Sequence, residues 1–237
     1  MARPLSLTEP ASPASRASAS PSRAVPFNCL IFDFDGTLVH SEHAYAEAFS
    51  HSIRLHTGLE LDRSELRGFW NVPPRDVLRR YSEPMIEEMI ATFEDHYYAN
   101  HHNNLACYEG IPELLQSLTD LGVLLGLVSM KPRRAGELEL DITGLRPLLT
   151  SVVWGDDIPR PKPEPDGVLK AMDELGADRA ATLVIGDSVA DLRMGRAAGT
   201  RTAAALWGGS SREDLLSERP DVAVESPHEL LWVVGCQ

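Results

Sequence analysis

The sequence has few cysteines and no apolar run long enough to cross a bilayer. Its three cysteines, Cys29, Cys107 and Cys236, lie far apart, show no CxxC spacing and would leave one thiol over in any disulfide scheme. This usage favours a reducing, cytoplasmic compartment. The longest apolar segments have the length of a strand and are interrupted by charge or glycine, so we expect a soluble protein without a membrane partner.

Basic residues are also scarce. The 237 residues include 22 Lys and Arg against 35 Asp and Glu, which gives a formal net charge of -13. Because binding to nucleic acid requires clustered cations that displace counterions, we expect no nucleic-acid partner. The same negative field slows the approach of an anionic substrate, so a phosphate site in this chain would need a local positive group or a metal ion.

Residues 1–26 contain mainly Ala, Ser and Pro, with a single acidic residue and no apolar periodicity. Such a composition cannot bury a core, so we predict a disordered N-terminal tail, with an organellar targeting segment as the alternative. Order is expected to begin with FNCLIFDFD at 27–35. This apolar run of strand length, bounded by Pro26 and Gly36, predicts a central strand.

Between residues 41 and 104 the pattern becomes helical, and no buried strand is expected there. Ser41 is a candidate N-cap, and glycine and proline residues divide the stretch into several short helices, among them DVLRRY and PMIEEMIATFEDHYY. We therefore predict an α-helical cap over 41–104, inserted into a core that consists of 27–40 and 105–237.

After Tyr108, predicted strands alternate with predicted helices. The strands are VLLGLVS, SVVWG, TLVIG and RTAAALW, and the helices between them include IPELLQSLTDLG, with Pro112 in its first turn, DGVLKAMDELG and VADLRMGRAAG. This alternation predicts an α/β fold with a doubly wound, Rossmann-like parallel sheet that is covered on both faces. Ligands of such sheets bind at the carboxyl ends of the strands.

Polar side chains stand at the ends of the first four predicted core strands. In chain order they are Asp33 and Asp35, Ser129, Lys162 in the loop after the third strand, and Asp187 with Ser188. Burial of Asp33 in an apolar run is costly unless the carboxylate is paired or binds a metal ion. Carboxylate oxygens, a backbone carbonyl and waters suit Mg²⁺ better than zinc. The predicted metal-binding residues are Asp33, Asp35 and Asp187.

The same residues predict phosphoryl transfer. A carboxylate beside a metal ion can attack phosphorus, and a second carboxylate can protonate the leaving alkoxide and later activate water. We assign the first role to Asp33 and the second to Asp35. The phosphoryl oxygens need neutralising donors as well. The predicted phosphate-binding residues are Ser129, Lys162, Gly36 and Thr37.

Four segments in order, DFDGTL, Ser129 after an apolar strand, RPKPEPD and GDSVAD, resemble the motifs of the haloacid dehalogenase-like hydrolases. The similarity covers about residues 27–234 and extends to the subclass with a helical cap. It implies an aspartyl-phosphate intermediate, and it gives Asp191 a supporting role. Ser188, a candidate N-cap of the helix that starts near Val189, is assigned a supporting role as well. The presence of Asp35, a position where the dehalogenases lack an aspartate, points to phosphate esters as substrates.

Within that family, YEGIPELLQSL, LGLVSMKP and WGDDIPRPKPEPDGVL are most similar to phosphoglycolate phosphatases, and Met130 is a departure from their pattern. The resemblance implies a Mg²⁺-dependent phosphatase acting on a small phosphorylated metabolite, with 2-phosphoglycolate as the expected substrate. The alternatives are pyrophosphate, a sugar phosphate or a nucleoside monophosphate. A β-phosphoglucomutase-like mutase and a non-catalytic binding protein of the same fold are further alternatives. For the oligomeric state, monomer and homodimer both stay open.

Three groups of cap residues allow a functional and a structural interpretation. We favour solvent exposure over metal binding for His96, His101 and His102. We favour the core of the cap over a substrate pocket for Phe69, Trp70, Tyr97 and Tyr98. We favour a solvated face over recognition of a substrate carboxylate for Arg75, Arg79 and Arg80.

Overall fold

The computed structural model describes residues 27–70 and 72–235, so the predicted disordered tail at 1–26 lies outside the described residues. None of the described helices combines the length and the apolar character needed to cross a bilayer. In chain order the strands and α-helices are β1 (Cys29–Phe32), β2 (Val39–His40), α1 (Glu42–Thr57), α2 (Arg63–Arg67), α3 (Pro74–Leu78), α4 (Ile86–Asn100), β3 (Ala106–Cys107), α5 (Ile111–Asp120), β4 (Leu124–Val128), α6 (Arg133–Thr143), β5 (Ser151–Val153), α7 (Asp166–Leu175), β6 (Thr182–Gly186), α8 (Val189–Ala198), β7 (Arg201–Ala205), α9 (Arg212–Ser217), β8 (Val222–Val224) and α10 (Glu229–Val233).

The main sheet has six parallel strands in the order β5-β4-β1-β6-β7-β8. Strand β1 lies in the interior of the sheet, and all four of its residues are buried. Such a strand is covered on both faces, which is why its sequence is continuously apolar rather than alternating. Phe32 pairs with Leu127 on one side and with Ile185 on the other, so these strands end side by side. The prediction of a doubly wound parallel sheet is confirmed.

Helices cover both faces of this sheet. The apolar residues of α5 recur at helical spacing, and Ile111, Leu114, Leu115 and Leu118 are all fully buried. Burial of a leucine side chain contributes roughly 1.5–3 kcal/mol to folding, so this face is sufficient to dock the helix against β4. Pro112 lies in the first turn as predicted. Helices α7 and α8 pack on the opposite face, around Ile31 and Val184.

Helices α1 to α4 form a second cluster with its own apolar core. Helix α1 packs along α4, and the rings of Phe49 and Phe93 lie 4.6 Å apart between them. The chain enters this cluster through β2 and leaves it through β3, which pair as a two-residue antiparallel ribbon, Val39 with Cys107. The structure therefore contains the helical insertion that the sequence predicts. The division into core and cap at residues 41 and 105 stays a prediction.

Two parts of the fold differ from the sequence prediction. The ribbon of β2 and β3 was not predicted, because two-residue strands are too short to show alternation. Helix α6 was not predicted either, since charged residues occupy much of its sequence RRAGELELDIT. Ser41 does precede α1 as predicted, but its side chain makes no capping hydrogen bond and contacts Asp35 instead.

Candidate active site

The residues that follow β1, β4 and β6 meet at the carboxyl edge of the sheet. The backbone N–H of Asp33 donates to the carbonyl oxygen of Ile185 at 2.8 Å, and that of Ser129 donates to Val153 at 3.0 Å. These bonds continue the ladder one residue beyond the strands and hold both side chains at the edge. Asp187 directly follows β6 and is fully buried. Three predicted site residues are thus neighbours because their strands are neighbours.

Three carboxylates form a cluster at this edge. Asp33, Asp187 and Asp191 each offer one oxygen within 4.8 Å of the others. Lys162, which lies in the loop between β5 and α7, donates from Nζ to Asp33 Oδ1 at 2.5 Å and to Asp191 Oδ1 at 2.6 Å. The Lys162 side chain is only 7% exposed. The lysine therefore bridges two of the three carboxylates and orients both.

Asp187 accepts hydrogen bonds only from uncharged donors among the described contacts. Its Oδ2 accepts from the N–H of Gly209 at 2.9 Å and from Trp70 Nε1 at 3.4 Å. Its Oδ1 accepts from the hydroxyl group of Thr37, Oγ1, at 3.3 Å. Burial, followed by the nearby charge of Asp191, raises the pKa of Asp187 to about 7. This carboxylate thus lacks a full counter-charge of its own.

The electrostatics of the cluster fit a divalent cation. Burial, together with the charge of Asp191, raises the pKa of Asp33 well above its ordinary value, against the opposing effect of Lys162. Three acids around one ammonium leave an excess of negative charge in a buried place. Hard carboxylate oxygens in that arrangement are suitable ligands for Mg²⁺. Asp33, Asp187 and Asp191 are therefore the residues that could hold a metal ion.

The carboxylate of Asp35 points elsewhere. Its Oδ1 accepts from Ser41 Oγ at 2.5 Å and from Lys131 Nζ at 2.7 Å, and the side chain is 18% exposed. Burial raises the pKa of Asp35, against the opposing charge of Lys131. Of the predicted metal set, the structure therefore groups Asp33 and Asp187 with Asp191, and not with the Asp35 side chain. The Asp35 side chain lies outside this group because its carboxylate is hydrogen-bonded to Lys131.

The turn after β1 packs tightly against Asp187. Gly36 has a φ of 80°, and a Cβ atom there would lie 2.5 Å from Asp187 Oδ2, so no larger residue fits. Thr37 is buried and uses its hydroxyl to contact the same carboxylate. Ser129 is 2% exposed, and its Oγ accepts from the N–H of Lys131 at 3.1 Å, which leaves its own proton for another acceptor. The predicted phosphate contacts of these three residues stay predictions.

Ser188 and Asp191 form a reciprocal cap at the start of α8. Ser188 Oγ accepts from the backbone N–H of Asp191 at 3.2 Å, and Asp191 Oδ2 accepts from the backbone N–H of Ser188 at 3.0 Å. This capping box satisfies two otherwise free amides. It also turns Asp191 Oδ1 toward Lys162. The supporting role of both residues in the reaction stays a prediction.

Several residues of this region were not identified from the sequence. Lys131 and Glu139 are fully buried beneath the insertion, and His101, predicted to be solvated, is 1% exposed and donates from Nδ1 to Glu139 Oε1 at 2.8 Å. That prediction was wrong because the insertion folds back onto α6, a contact between segments distant in the chain. The position of Lys131, two residues after Ser129 at the end of a buried strand, is the one local indication.

The other cap predictions have mixed outcomes. Arg75 pairs with Glu87 and Arg79 with Glu83, both at 2.7 Å on the surface, as a solvated face requires. Phe69 and Tyr97 belong to the core of the insertion. Trp70 departs from the prediction, since its indole reaches Asp187.

A cavity of about 790 Å³ opens beside the carboxylate cluster. Its walls include aromatic side chains of the insertion, Gly209, two acidic residues of α1, Glu42 and Glu47, and two arginines of α2, Arg63 and Arg67. Both arginines are exposed, and no described carboxylate forms an ion pair with either of them. Trp70 lines the cavity and contacts Asp187, so its indole lies between the cavity and the carboxylate cluster.

Residues 30–205, well over half of the chain, match the family model described as haloacid dehalogenase-like hydrolase. A pyrophosphatase PpaX from Anoxybacillus flavithermus is 31% identical over 208 residues, which cover 88% of this chain and 97% of that protein. One from Oceanobacillus iheyensis is 30% identical over 206 residues, covering 87% and 96%.

Solved structures show the same fold. A predicted phosphoglycolate phosphatase from Haemophilus somnus has a TM-score of 0.78 at 23% identity and covers 87% of this chain and 97% of its own. A haloacid dehalogenase-like family hydrolase from Streptococcus pneumoniae has a TM-score of 0.78 at 22% identity, with coverage of 87% and 97%.

Proposed function

The chain belongs to the haloacid dehalogenase-like hydrolases, and we propose that it is a Mg²⁺-dependent phosphatase that uses Asp33 as its nucleophile. The observation that carries the proposal is the buried cluster of Asp33, Asp187 and Asp191 bridged by Lys162, with a second carboxylate, Asp35, two residues from the nucleophile. This set supplies a nucleophile, a cation site and a proton carrier at one edge of the sheet.

The reaction divides into two steps. In the first, a carboxylate oxygen of Asp33 bonds to phosphorus, the bond from phosphorus to the leaving oxygen breaks, and Asp35 gives that oxygen a proton. In the second, water attacks the phosphorylated Asp33, Asp35 takes a proton from it, and inorganic phosphate leaves. Ser129 and Lys162 donate to the phosphoryl oxygens in both steps.

Asp33 and Asp187 are the proposed metal ligands, with Asp35 contributing through its main chain and Asp191 acting through Lys162. Once bound, Mg²⁺ would neutralise charge on the phosphoryl oxygens. It would thus supply the local positive charge that a phosphate site needs in a chain with a net charge of -13. Trp70 and Gly209 both donate to Oδ2 of Asp187 and hold that carboxylate in place.

Pyrophosphate is the first substrate candidate, because the curated relatives at about 30% identity are named pyrophosphatases. The second is 2-phosphoglycolate, which the segments LGLVSMKP and WGDDIPRPKPEPDGVL favour by resemblance. Both carry an anionic group beyond the transferred phosphoryl group. Arg63 and Arg67, which are unpaired within the described residues and line the cavity, offer guanidinium groups that suit such an anion.

A phosphate-release assay with Mg²⁺ over pyrophosphate, 2-phosphoglycolate, sugar phosphates, nucleoside monophosphates and a generic aryl phosphate tests the proposal. We expect pyrophosphate to be hydrolysed with the highest kcat/KM, and we expect Asp33→Asn to abolish all turnover. Asp173→Asn, at an exposed position of α7, is the matched control and should be fully active. Full activity of the Asp33→Asn variant would refute the covalent mechanism. Equal hydrolysis of pyrophosphate and all the esters would remove the substrate assignment and leave the reaction class.

A further inference from the structure

A network of buried charged side chains lies behind Asp35, where the insertion meets the core. Lys131 follows β4, Glu139 lies on α6, and the side chains of both are fully buried. Tyr97 and His101 reach them from the end of α4 and the segment after it. The network therefore joins two elements of the core with the helical insertion.

Every donor of the Lys131 ammonium group is used within this network. An ammonium group has three N–H donors. They contact Asp35 Oδ1 at 2.7 Å, the hydroxyl oxygen of Tyr97 at 3.0 Å and Glu139 Oε2. Because no donor remains for a substrate oxygen in this arrangement, Lys131 differs from Lys162 and is not placed as a phosphate-binding residue.

Both carboxylate oxygens of Glu139 also accept hydrogen bonds within the network. Glu139 Oε1 accepts from the Tyr97 hydroxyl and from His101 Nδ1, each at 2.8 Å, and Oε2 accepts from Lys131. The rings of Phe34, Tyr45 and Tyr97 lie 5.2 to 5.8 Å from the ammonium nitrogen and shield it from water. Lys131 and Glu139 are therefore held in one arrangement.

Stability alone does not account for this arrangement. Replacing a buried ion pair by apolar side chains of similar volume is often neutral or stabilising, because removing two charges from water is costly. What the network adds is a fixed direction for the Asp35 carboxyl group. Both hydrogen bonds to Asp35, from Lys131 and from Ser41, end on Oδ1. A proton carried by this group is therefore placed on Oδ2.

We propose that Lys131 is a positioning residue that, held by Glu139 and Tyr97, keeps Oδ2 of Asp35 in place for proton transfer to the leaving group. The inference rests on the proposed phosphatase function. As the bond from phosphorus to the leaving oxygen breaks, the proton on Oδ2 passes to that oxygen, and the Asp35 carboxylate left behind remains bound to Lys131. In the hydrolytic step Oδ2 receives a proton from water, which restores the first state.

Two aryl phosphates of similar shape separate positioning from binding. The 4-nitrophenolate group leaves without a proton, whereas phenolate is a stronger base and gains from a proton donor. The value of kcat/KM covers only the steps up to departure of the leaving group, so the hydrolytic step does not enter the comparison. The variant Lys131→Met combined with Glu139→Gln removes the ammonium group without leaving the Glu139 charge unpaired in the interior.

We expect this double variant to lose roughly 100-fold in kcat/KM for phenyl phosphate, the size of a general-acid contribution, and much less for 4-nitrophenyl phosphate. Tyr97→Phe, which removes one hydroxyl from the network and creates no charge, should shift the ratio of the two values in the same direction by a smaller factor. Lys170→Met, at an exposed lysine paired with Glu174, is the matched control and should leave the ratio unchanged.

Thermal melting of each variant separates loss of folding from loss of positioning. If the double variant does not fold, the ratio of the two kcat/KM values in Tyr97→Phe tests the inference. An equal loss for the two esters, or a rise in KM with kcat unchanged, would overturn the inference. If the unmodified protein hydrolyses neither these two esters nor pyrophosphate nor 2-phosphoglycolate, the proposed function is refuted, and the inference with it.

Discussion

At the scale of single residues, Asp187 is the carboxylate of the buried cluster that has no contact with the Lys162 ammonium group. Its hydrogen-bond donors are an amide, an indole and a hydroxyl group, and burial raises its pKa from 3.8 to about 7. A cation bound at the cluster would compete with the proton for this site, because metal ligands must be deprotonated. Metal binding is therefore expected to depend on pH in the neutral range.

We predict that Mg²⁺ raises the melting temperature more at about pH 8 than at about pH 6. In the metal-free protein the folded state binds the Asp187 proton more tightly than the unfolded state, so this residue lowers the free energy of unfolding as pH rises toward its folded pKa. Above that pH the carboxylate is free for the metal ion. Melting curves with and without Mg²⁺ at each pH isolate the effect, and Asp187→Asn should abolish it. An equal shift at both pH values would contradict the prediction.

At the scale of elements, the start of α8 has two tasks. Ser188 Oγ accepts from the backbone N–H of Asp191 in the first turn, and the same hydroxyl donates to Asp191 Oδ2 at 2.5 Å. Asp191 is also the residue that contacts Lys162. Ser211 caps α9 in the same way, accepting from the N–H of Asp214 at 3.1 Å, but it is exposed. The two serines form a natural pair for comparison.

We predict that Ser188→Ala and Ser211→Ala each lower the free energy of unfolding by about 1 kcal/mol, the usual contribution of an N-cap. Only Ser188→Ala should reduce phosphatase activity, since it alone loosens Asp191. Urea unfolding and kcat/KM for the same two variants provide the measurements. Loss of activity in both variants, or in neither, would show that this cap does not support the site.

Helix α6 depends on a glycine. A Cβ atom at Gly136 would lie 2.3 Å from the ring of Trp154, which is fully buried. Alanine is normally better than glycine inside a helix by about 1 kcal/mol. The close approach of the helix to the tryptophan reverses that preference here. It also holds Glu139, one turn further along α6, against Lys131.

We therefore predict that Gly136→Ala lowers the free energy of unfolding by about 1 to 3 kcal/mol, the cost of overpacking a core. Asp141→Ala, at an exposed position of the same helix, should change it by less than about 0.5 kcal/mol. Urea denaturation measures both. A Gly136→Ala variant as stable as the unmodified protein would mean that Trp154 moves freely, and that α6 is not held in one position.

At the scale of the whole molecule, the net charge of -13 opposes the approach of an anionic substrate. Salt reduces this repulsion, because the Debye length falls from about 30 Å at 0.01 M to about 8 Å at 0.15 M ionic strength. The catalytic step itself takes place in a buried cluster, where screening by salt is weaker. Encounter and chemistry should therefore respond differently to salt.

We predict that kcat/KM for a phosphate substrate rises across this salt range at saturating Mg²⁺, while kcat stays nearly constant. Steady-state kinetics in potassium chloride measure both values, and sucrose solutions of matched viscosity control for slower diffusion. A fall of kcat/KM with salt would show that positive side chains such as Arg63 and Arg67 dominate the field at the entrance of the cavity.

The sequence was sufficient to predict the sheet and the positions of its polar strand ends. A continuous apolar run before Asp33 indicates a strand buried on both faces, and the alternation after Tyr108 predicts parallel neighbours. Because parallel strands end at one edge, Asp33, Ser129 and Asp187 had to lie close together. These conclusions depend on short-range periodicity, which a single sequence shows, and on a general rule of sheet geometry.

The direction of each carboxylate and the environment of each charge required the three-dimensional arrangement. Apart from the position of Lys131 just after a buried strand, nothing local in the sequence indicates that Lys131, Glu139 and His101 are buried, since residues of these types are mostly exposed. Their burial results from the insertion packing on α6, a contact between segments far apart in the chain. That contact turns the Asp35 side chain away from the acidic cluster, which consists of Asp33, Asp187 and Asp191. Charge burial is a property of long-range packing, whereas the order of strands and helices follows from local pattern.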